Sequence, residues 1–169
     1  MNMASVTNEF TYDVFLSFRG EDTRHSFTGN LWKALKDRGI YTFMDDEELR
    51  KGEEITPSLI KAIKDSNMAI VVLSKNYASS SFCLQELSNI LDSVKDMGRL
   101  VWPVFYEVDP SDVRKLTGSY REAMDIHETR CNVDSKNMLH KWKNALYQVA
   151  NLSGFHYKIR LVFLFVTAN

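Results

Sequence analysis

The sequence predicts an α/β protein built on a single parallel sheet of five strands. Short apolar runs alternate with stretches whose apolar residues recur at the helical period. Their spacing matches βαβ units of about 30 residues, which pair strands in parallel through right-handed crossovers. The strands lie near residues 13, 40, 68, 101 and 155. We therefore expect a flavodoxin-like, doubly wound sheet with strand order 2-1-3-4-5.

The first strand and helix are marked by clear boundaries. Residues 13–18 form an apolar run that stops at Arg19-Gly20. Asp22 and Thr23 are residue types that cap helices, and we expect them to cap the helix that follows. Its apolar stripe ends at Arg38-Gly39, a typical helix terminus.

The second and third strands flank an acidic loop. Residues 40–44 predict a short strand that continues into the acidic segment 45–54. Thr56-Pro57 predicts the start of a helix, because proline is favoured at the first helical position. Residues 68–73 are continuously apolar, which is typical of a strand covered on both faces.

The second half of the chain predicts two more strands and three helices. Residues 100–106 predict strand four, although Pro103 conflicts with the rule that proline avoids interior strands. Asp109-Pro110-Ser111 predicts a turn. The remaining elements are a helix ending near Met97-Gly98, a helix over 117–130, an amphipathic helix over 136–152 and a strand over 155–157.

Residues 74–87 are the stretch on which a functional site is most strongly indicated. A serine-rich loop after strand three enters a helix whose apolar stripe passes through Cys83. Glu86 lies about 100° from the centre of that stripe, on the flank of the buried face. One interpretation is that this carboxylate, expected in the first helical turn, complements the positive helix N-terminus. The other is a functional carboxylate.

The predicted topology favours the functional interpretation. In a doubly wound sheet, ligands bind beyond the carboxyl ends of the strands where the order reverses, here between strands one and three. The loops after those two strands, residues 18–24 and 74–80, are both polar. They bring two arginines and Glu86 towards the same crevice.

Composition and charge exclude several classes of protein. The 169 residues are 44% hydrophobic and 25% charged, which suits one domain with a sizeable core. The net charge of −1 and the absence of a long basic run make nucleic-acid binding an unfavoured reading. Cys83 and Cys131 lack metal-binding spacing and suit a reducing compartment. Without a signal peptide or an apolar run long enough to span a bilayer, we expect a protein of the cytoplasm, with the nucleus as a further location.

Other occupants of this fold fit the residues poorly. A phospho-acceptor receiver needs an aspartate at the end of strand three, where this chain has Ser74. No glycine-rich phosphate loop is present, so we expect no tightly bound cofactor. No metal site is expected, since the His and Cys residues lack zinc spacing. The histidines are expected at surface or packing positions: His25, His127, His140 and His156.

Three motifs resemble a known family. Residues 12–24 read YDVFLSFRGEDTR, residues 78–87 include CLQEL, and residues 103–114 read PVFYEVDPSDVR. In this order they resemble the plant TIR (Toll/interleukin-1 receptor) domain of intracellular disease-resistance receptors. The resemblance covers residues 12–157 and implies the flavodoxin-like fold. We expect residues 1–11 to form a flexible tail and residues 158–169 an atypical apolar tail.

The resemblance implies a function and a site. Many family members cleave NAD+ at the nicotinamide–ribose bond once they self-assemble, with NAD+ as substrate and other TIR domains as partners. The catalytic glutamate of the family matches Glu86. The resemblance places nucleotide-facing residues at Phe18, Arg19, Gly20, Arg24, Ser79 and Phe82. It places a gating loop after strand two, with Asp45, Asp46, Arg50, Lys51 and Gly52.

The chain departs from the family pattern at three places, which keeps a second function open. Phe82 stands where the family usually has tryptophan, and Gly29-Asn30 stands where it often has Ser-His at a self-association contact. Residues 158–169 show no helical polar face, so the family's final amphipathic helix is expected to be missing. The alternative to an NAD+-cleaving enzyme is a catalytically weak module that binds or regulates other TIR-containing receptors. Nucleic-acid cleavage or cyclic-nucleotide synthesis receives no support, because a basic stripe is absent.

Overall fold

The computed structural model describes residues 10–44, 55–132 and 135–157. These residues form five strands in one sheet of order β2-β1-β3-β4-β5, and every neighbouring pair is parallel. The predicted fold class and strand order are therefore confirmed. The strands are β1 (Tyr12–Phe18), β2 (Thr42–Met44), β3 (Ser66–Leu73), β4 (Leu100–Tyr106) and β5 (Phe155–Tyr157).

Seven α-helices connect the strands in the described part of the chain. The helices are α1 (Gly20–Thr23), α2 (Phe27–Asp37), α3 (Pro57–Lys64), α4 (Ser81–Met97), α5 (Pro110–Lys115), α6 (Gly118–Arg130) and α7 (Lys136–Ala150). A short 3-10 turn, Tyr77–Ser79, precedes α4. None of the helices in the described ranges combines the length and apolarity needed to cross a membrane.

Helix boundaries follow the expected capping chemistry at several places. Thr56 caps α3, since its side chain accepts a hydrogen bond from the Leu59 amide at 3.3 Å. Gly98 ends α4 in the left-handed conformation, with φ of 65°. The turn expected at Asp109 is instead the start of helix α5. The Asp109 carboxylate caps this helix by accepting a hydrogen bond from the Ser111 backbone amide at 2.8 Å.

Pro103 is accommodated because β5 is short. Pro103 pairs with Val71 of β3, but pairing between β4 and β5 begins only at Val104. Proline can therefore occupy the stretch of β4 that β5 does not pair with. The backbone at Gly154 lies close to Pro103. A Cβ atom at position 154 would lie 2.3 Å from the Pro103 carbonyl oxygen, so a side chain there would require the backbone to move.

The sheet divides the core into two layers. One face carries Phe15, Val71 and Phe105 and packs against α3, α4, α6 and α7, with Val113 of α5 in the same cluster. The other face carries Val14, Leu16, Phe18, Ile70, Val72 and Val104, with half-buried apolar residues of α2 against it. We call these the thick layer and the thin layer.

Candidate active site

The structure places Glu86 in the thick layer, close to the carboxyl end of β3. Its side chain is only 2% exposed, so the sequence-based prediction of a position beside the core is confirmed. It lies in the second turn of α4, because Ser80 caps the helix through the Cys83 amide at 3.2 Å. The prediction of a first-turn position was wrong. The dipole interpretation weakens accordingly, since that effect falls off within the first turn.

Tyr77 lies beside Glu86 and connects the loop to β1. Its phenol hydrogen-bonds the Ser17 hydroxyl at 2.8 Å and donates to the Cys83 carbonyl oxygen at 3.1 Å. Burial raises the pKa of the Tyr77 phenol well above its usual range, and the neighbouring Cys83 thiol and Glu86 carboxylate raise the pKa further. Tyr77 therefore remains a neutral hydrogen-bond donor near the carboxylate.

The loop after β1 carries the predicted nucleotide-facing residues. Phe18 is the buried last residue of β1, and the Arg24 guanidinium lies 5.1 Å from the centroid of its ring. Gly20 is buried at the start of α1, and Arg24 is half-buried directly after that helix. The distance between the Arg24 guanidinium and the Phe18 ring lies within the range of a cation–π contact.

Arg19 occupies the cap position of α1 and is 20% exposed. Its guanidinium forms an ion pair with Glu21 at 2.9 Å, and its Nε lies 3.8 Å from a carboxylate oxygen of Asp22. That Nε is buried and makes no hydrogen bond within the described structure. Arg19 thus has an acidic partner already, and an anionic ligand would compete with Glu21 for it.

The loop after β3 brings the remaining predicted residues to the same edge of the sheet. Phe82 is buried in the first turn of α4, whereas Ser79 is exposed in the 3-10 turn. The gating-loop residues Asp45, Asp46, Arg50, Lys51 and Gly52 lie outside the described residues, as does the apolar segment 158–169. Their predicted roles stay predictions.

The two self-association residues lie on α2 in the thin layer. Asn30 is exposed and Gly29 is half-buried. A Cβ at position 29 would lie 2.3 Å from the Arg24 carbonyl oxygen. Gly29 therefore allows a close approach of backbone to backbone. The serine of the family pattern would not fit here without a shift of the backbone.

Asp22 takes a role that the sequence did not suggest. The predicted cap of α2 was wrong, because α2 begins after Ser26 and Asp22 lies within α1. Its carboxylate instead accepts a hydrogen bond from the Ser74 hydroxyl at 2.5 Å. Asn76 donates two more, from its backbone amide at 3.0 Å and its side-chain amide at 3.1 Å. Asp22 thus joins the loops after β1 and β3.

Two buried polar residues near the site, Ser17 and Tyr120, were also missed from the sequence, and a third, His127, was predicted only as a surface or packing residue. Ser17 is buried near the carboxyl end of the apolar strand β1, and the Tyr120 phenol donates to the Ser74 carbonyl oxygen at 2.8 Å. His127 contacts the Ala78 carbonyl oxygen at 2.8 Å and packs against Trp142, which confirms a packing role for that histidine. A polar residue within a buried strand, such as Ser17, is the one local signal that could have marked this network.

A family model described as the TIR domain matches residues 11–161 of the chain. The chain belongs to the TIR-domain family. It is 51% identical over 152 residues to Disease resistance protein RPV1 of Vitis rotundifolia, covering 90% of this chain and 10% of the relative. It is 46% identical over 154 residues to TMV resistance protein N of Nicotiana glutinosa, covering 91% of this chain and 13% of the relative. The chain thus spans about a tenth of these relatives.

A solved structure extends the comparison to three dimensions. The chain is similar to the TIR domains in the structure of the activated Roq1 resistosome directly recognizing the pathogen effector XopQ, with a TM-score of 0.79 and 45% sequence identity. The match covers 93% of this chain and 98% of that chain. A TIR domain of the Toll-related receptor TRR-2 from Hydra magnipapillata, at 20% identity and a TM-score of 0.53, shares the fold.

Proposed function

We propose that this chain is a TIR signalling domain of plant immunity that hydrolyses NAD+ at the nicotinamide–ribose bond. The burial of Glu86 in the helix that follows the loop after β3 is the observation that carries the proposal. Taking a carboxylate out of water is costly even when it is paired, and an apolar side chain would fill a core position at lower cost. A carboxylate maintained there, next to the loops that a ligand would contact, is a candidate for chemistry.

The reaction suits a single carboxylate. The C1′–N bond of the ribosyl–nicotinamide unit breaks, and its electron pair neutralises the positive charge of the nicotinamide ring. Nicotinamide leaves as a neutral molecule, so a general acid is not required. The ribosyl carbon becomes oxocarbenium-like, as in glycoside cleavage, and water adds to it with loss of a proton. Glu86 would face the developing positive charge and stabilise it electrostatically.

The remaining residues would hold the substrate. Arg19 or Arg24 can bind the pyrophosphate through the planar fork of a guanidinium, in the case of Arg19 by exchanging Glu21 for phosphate oxygens. Phe82 would supply an apolar wall. Since Glu86 is only 2% exposed, a ligand would reach it only after part of the protein moves, which is the role that the family resemblance gives to the gating loop.

We further propose that activity requires association with other TIR domains. The support comes from the relative at 45% identity, whose TIR domains belong to an activated resistosome. The alternative function, a catalytically weak module that binds or regulates such domains, draws support from Gly29, because a glycine offers no side chain at the predicted self-association position and would weaken the self-assembly that activity requires.

Nicotinamide release from NAD+, measured across a range of protein concentrations, tests this proposal. Replacing Glu86 by glutamine should lower turnover at least about 100-fold, the scale of losing one group that faces developing charge. The matched control is Asp92→Asn on the same helix, where the carboxylate forms an exposed ion pair with Lys141 at 2.7 Å. Turnover of that control should stay within about twofold, since exposed ion pairs contribute little.

Two results would contradict the proposal. One is a Glu86→Gln variant with the turnover and circular dichroism of the parent chain. The other is an absence of nicotinamide release from the parent chain in sedimentation-verified assemblies, which would favour the interaction module.

A further inference from the structure

The Asp22 carboxylate joins two loops that are far apart in sequence. Its three hydrogen bonds connect the segment after β1 to Ser74 and Asn76, which lie 52 and 54 residues further along the chain. The Asp22 side chain is 12% exposed and Ser74 is buried. Hydrogen bonds to an ionised, largely buried carboxylate are roughly twice as strong as neutral ones. We name this set of contacts the Asp22 clasp.

The segment from Ser74 to the start of α4 is held on its other side as well. The Tyr120 phenol donates to the Ser74 carbonyl oxygen, and the Tyr77 phenol hydrogen-bonds Ser17 of β1. The Asp22 clasp therefore supplies a polar attachment of this loop to α1, and the tyrosines attach the loop to the core. The loop leads directly into α4, which carries Glu86.

We propose that Asp22 is a positioning residue that fixes the loop after β3 against the loop after β1. By doing so it sets the place of Glu86 relative to Arg19, on opposite sides of one substrate. This inference rests on the proposed function, because the spacing matters only if both residues contact the same molecule. A displacement of about 1 Å in such a site can lower the rate about 100-fold.

Two substitutions of Asp22 can distinguish its effect on the position of the loop from the effect of its negative charge. An asparagine at position 22 could still accept from Ser74 and from the Asn76 amide through its single oxygen. Its amide could donate to the Asn76 side chain, provided that side chain turns its oxygen towards it. Asp22→Asn thus preserves the geometry and removes the charge, whereas Asp22→Ala removes both.

The first measurement is hydrogen exchange at the Asn76 amide, without any ligand. Exchange should accelerate about tenfold or more in Asp22→Ala, the scale of one hydrogen bond to a charged group, and by less in Asp22→Asn. The matched control is Asp13→Ala, since the Asp13 carboxylate accepts a hydrogen bond from the Tyr41 backbone amide at 2.8 Å, near the amino-terminal end of β1 and away from the Asp22 clasp. This control should accelerate exchange at Tyr41 and leave Asn76 unchanged.

The second measurement is the kinetics of nicotinamide release. Asp22→Ala should lower kcat at least about tenfold, because the carboxylate of Glu86 is displaced from the reacting carbon. Asp22→Asn should recover most of that loss, and Asp13→Ala should stay within about twofold of the parent chain. A purely structural role would lower the melting temperature of both alanine variants and leave kcat of folded protein unchanged.

The outcomes separate the two proposals. Unchanged hydrogen exchange at Asn76 in Asp22→Ala would overturn the clasp. The positioning role would also be overturned if Asp22→Asn had a kcat as low as that of Asp22→Ala while its Asn76 amide stayed protected, because the negative charge of Asp22 would then be decisive. If the parent chain releases no nicotinamide, the proposed function fails, while the exchange comparison still decides whether Asp22 holds the loop.

Discussion

The two layers of the molecule are built very differently. The thick layer buries large side chains completely, among them Phe15, Tyr77 and Leu87, beneath four packed helices. In the thin layer the apolar residues of α2, such as Leu31, are only half-buried. On the same face of β4, Trp102 is 48% exposed, and its ring lies 5.4 Å from that of Phe155, which is 60% exposed.

The two layers hold different sets of candidate functional residues. The candidate catalytic carboxylate and the tyrosine beside it belong to the thick layer, where dense packing can hold a side chain in one place. The predicted self-association residues belong to the thin layer, whose exposed apolar side chains can be covered by a neighbour. The comparison makes three predictions.

The largest effect is expected from truncating one leucine in each layer. Leu87→Ala should destabilise the chain by about 2–5 kcal/mol, because the cavity lies in a fully packed core. Leu31→Ala should cost about 1–2 kcal/mol, since its half-exposed side chain has less apolar area to lose. Urea unfolding with equal m-values measures both. Equal losses would show that the thin layer is as well covered in solution as the thick one.

A smaller effect is expected at alkaline pH and should also be confined to the thick layer. Burial raises the pKa of the phenols of both Tyr77 and Tyr120 well above their usual range. The unfolded chain therefore releases these protons above about pH 10 while the folded chain keeps them. Stability should be fully present below that pH and decline above it, by about 1.4 kcal/mol per pH unit for each tyrosine.

Denaturant unfolding between neutral and alkaline pH measures this decline. Tyr77→Phe should reduce the slope by about 1.4 kcal/mol per pH unit, and the exposed Tyr147 provides the control in Tyr147→Phe, whose slope should match that of the parent. If the ultraviolet absorbance of tyrosinate rose for all seven tyrosines before unfolding, the burial argument would be wrong.

The smallest effect on stability is expected at the exposed surface of the thin layer. Trp102→Thr keeps a β-favouring residue and removes one partner of an edge-to-face aromatic pair. Loss of the aromatic pair itself should cost no more than about 1.5 kcal/mol, the upper range for such a pair. Binding of a hydrophobic dye and the tendency to aggregate should both decrease. A loss above about 3 kcal/mol, the range of a fully buried tryptophan, would mean that Trp102 is covered in solution.

Local patterns were sufficient to predict most of the architecture. The apolar run at 68–73, the cap and proline at Thr56-Pro57 and the glycine after α4 each act within a few residues. Periodicity also placed Glu86 beside the core, because a helix converts sequence spacing into angle. The family motifs then supplied the expectation of its role.

The partners of the site depended on tertiary structure. Asp22 was predicted to cap a helix, and its local context allowed that, but its hydrogen-bond donors come from a loop more than 50 residues away. The close contacts of Gly29 with Arg24 and of Gly154 with Pro103 likewise follow from how segments meet.

The sequence by itself thus determined the strands, their order and which face of α4 carries the carboxylate, because these follow from short-range periodicity and from the handedness of βαβ connections. Only the tertiary structure decided that Asp22, Ser74 and Asn76 form one cluster and that Tyr77 lies beside Glu86. The physical reason is that hydrogen bonds and burial depend on distances in space, and two loops at one edge of a parallel sheet become neighbours only once the strands between them have paired.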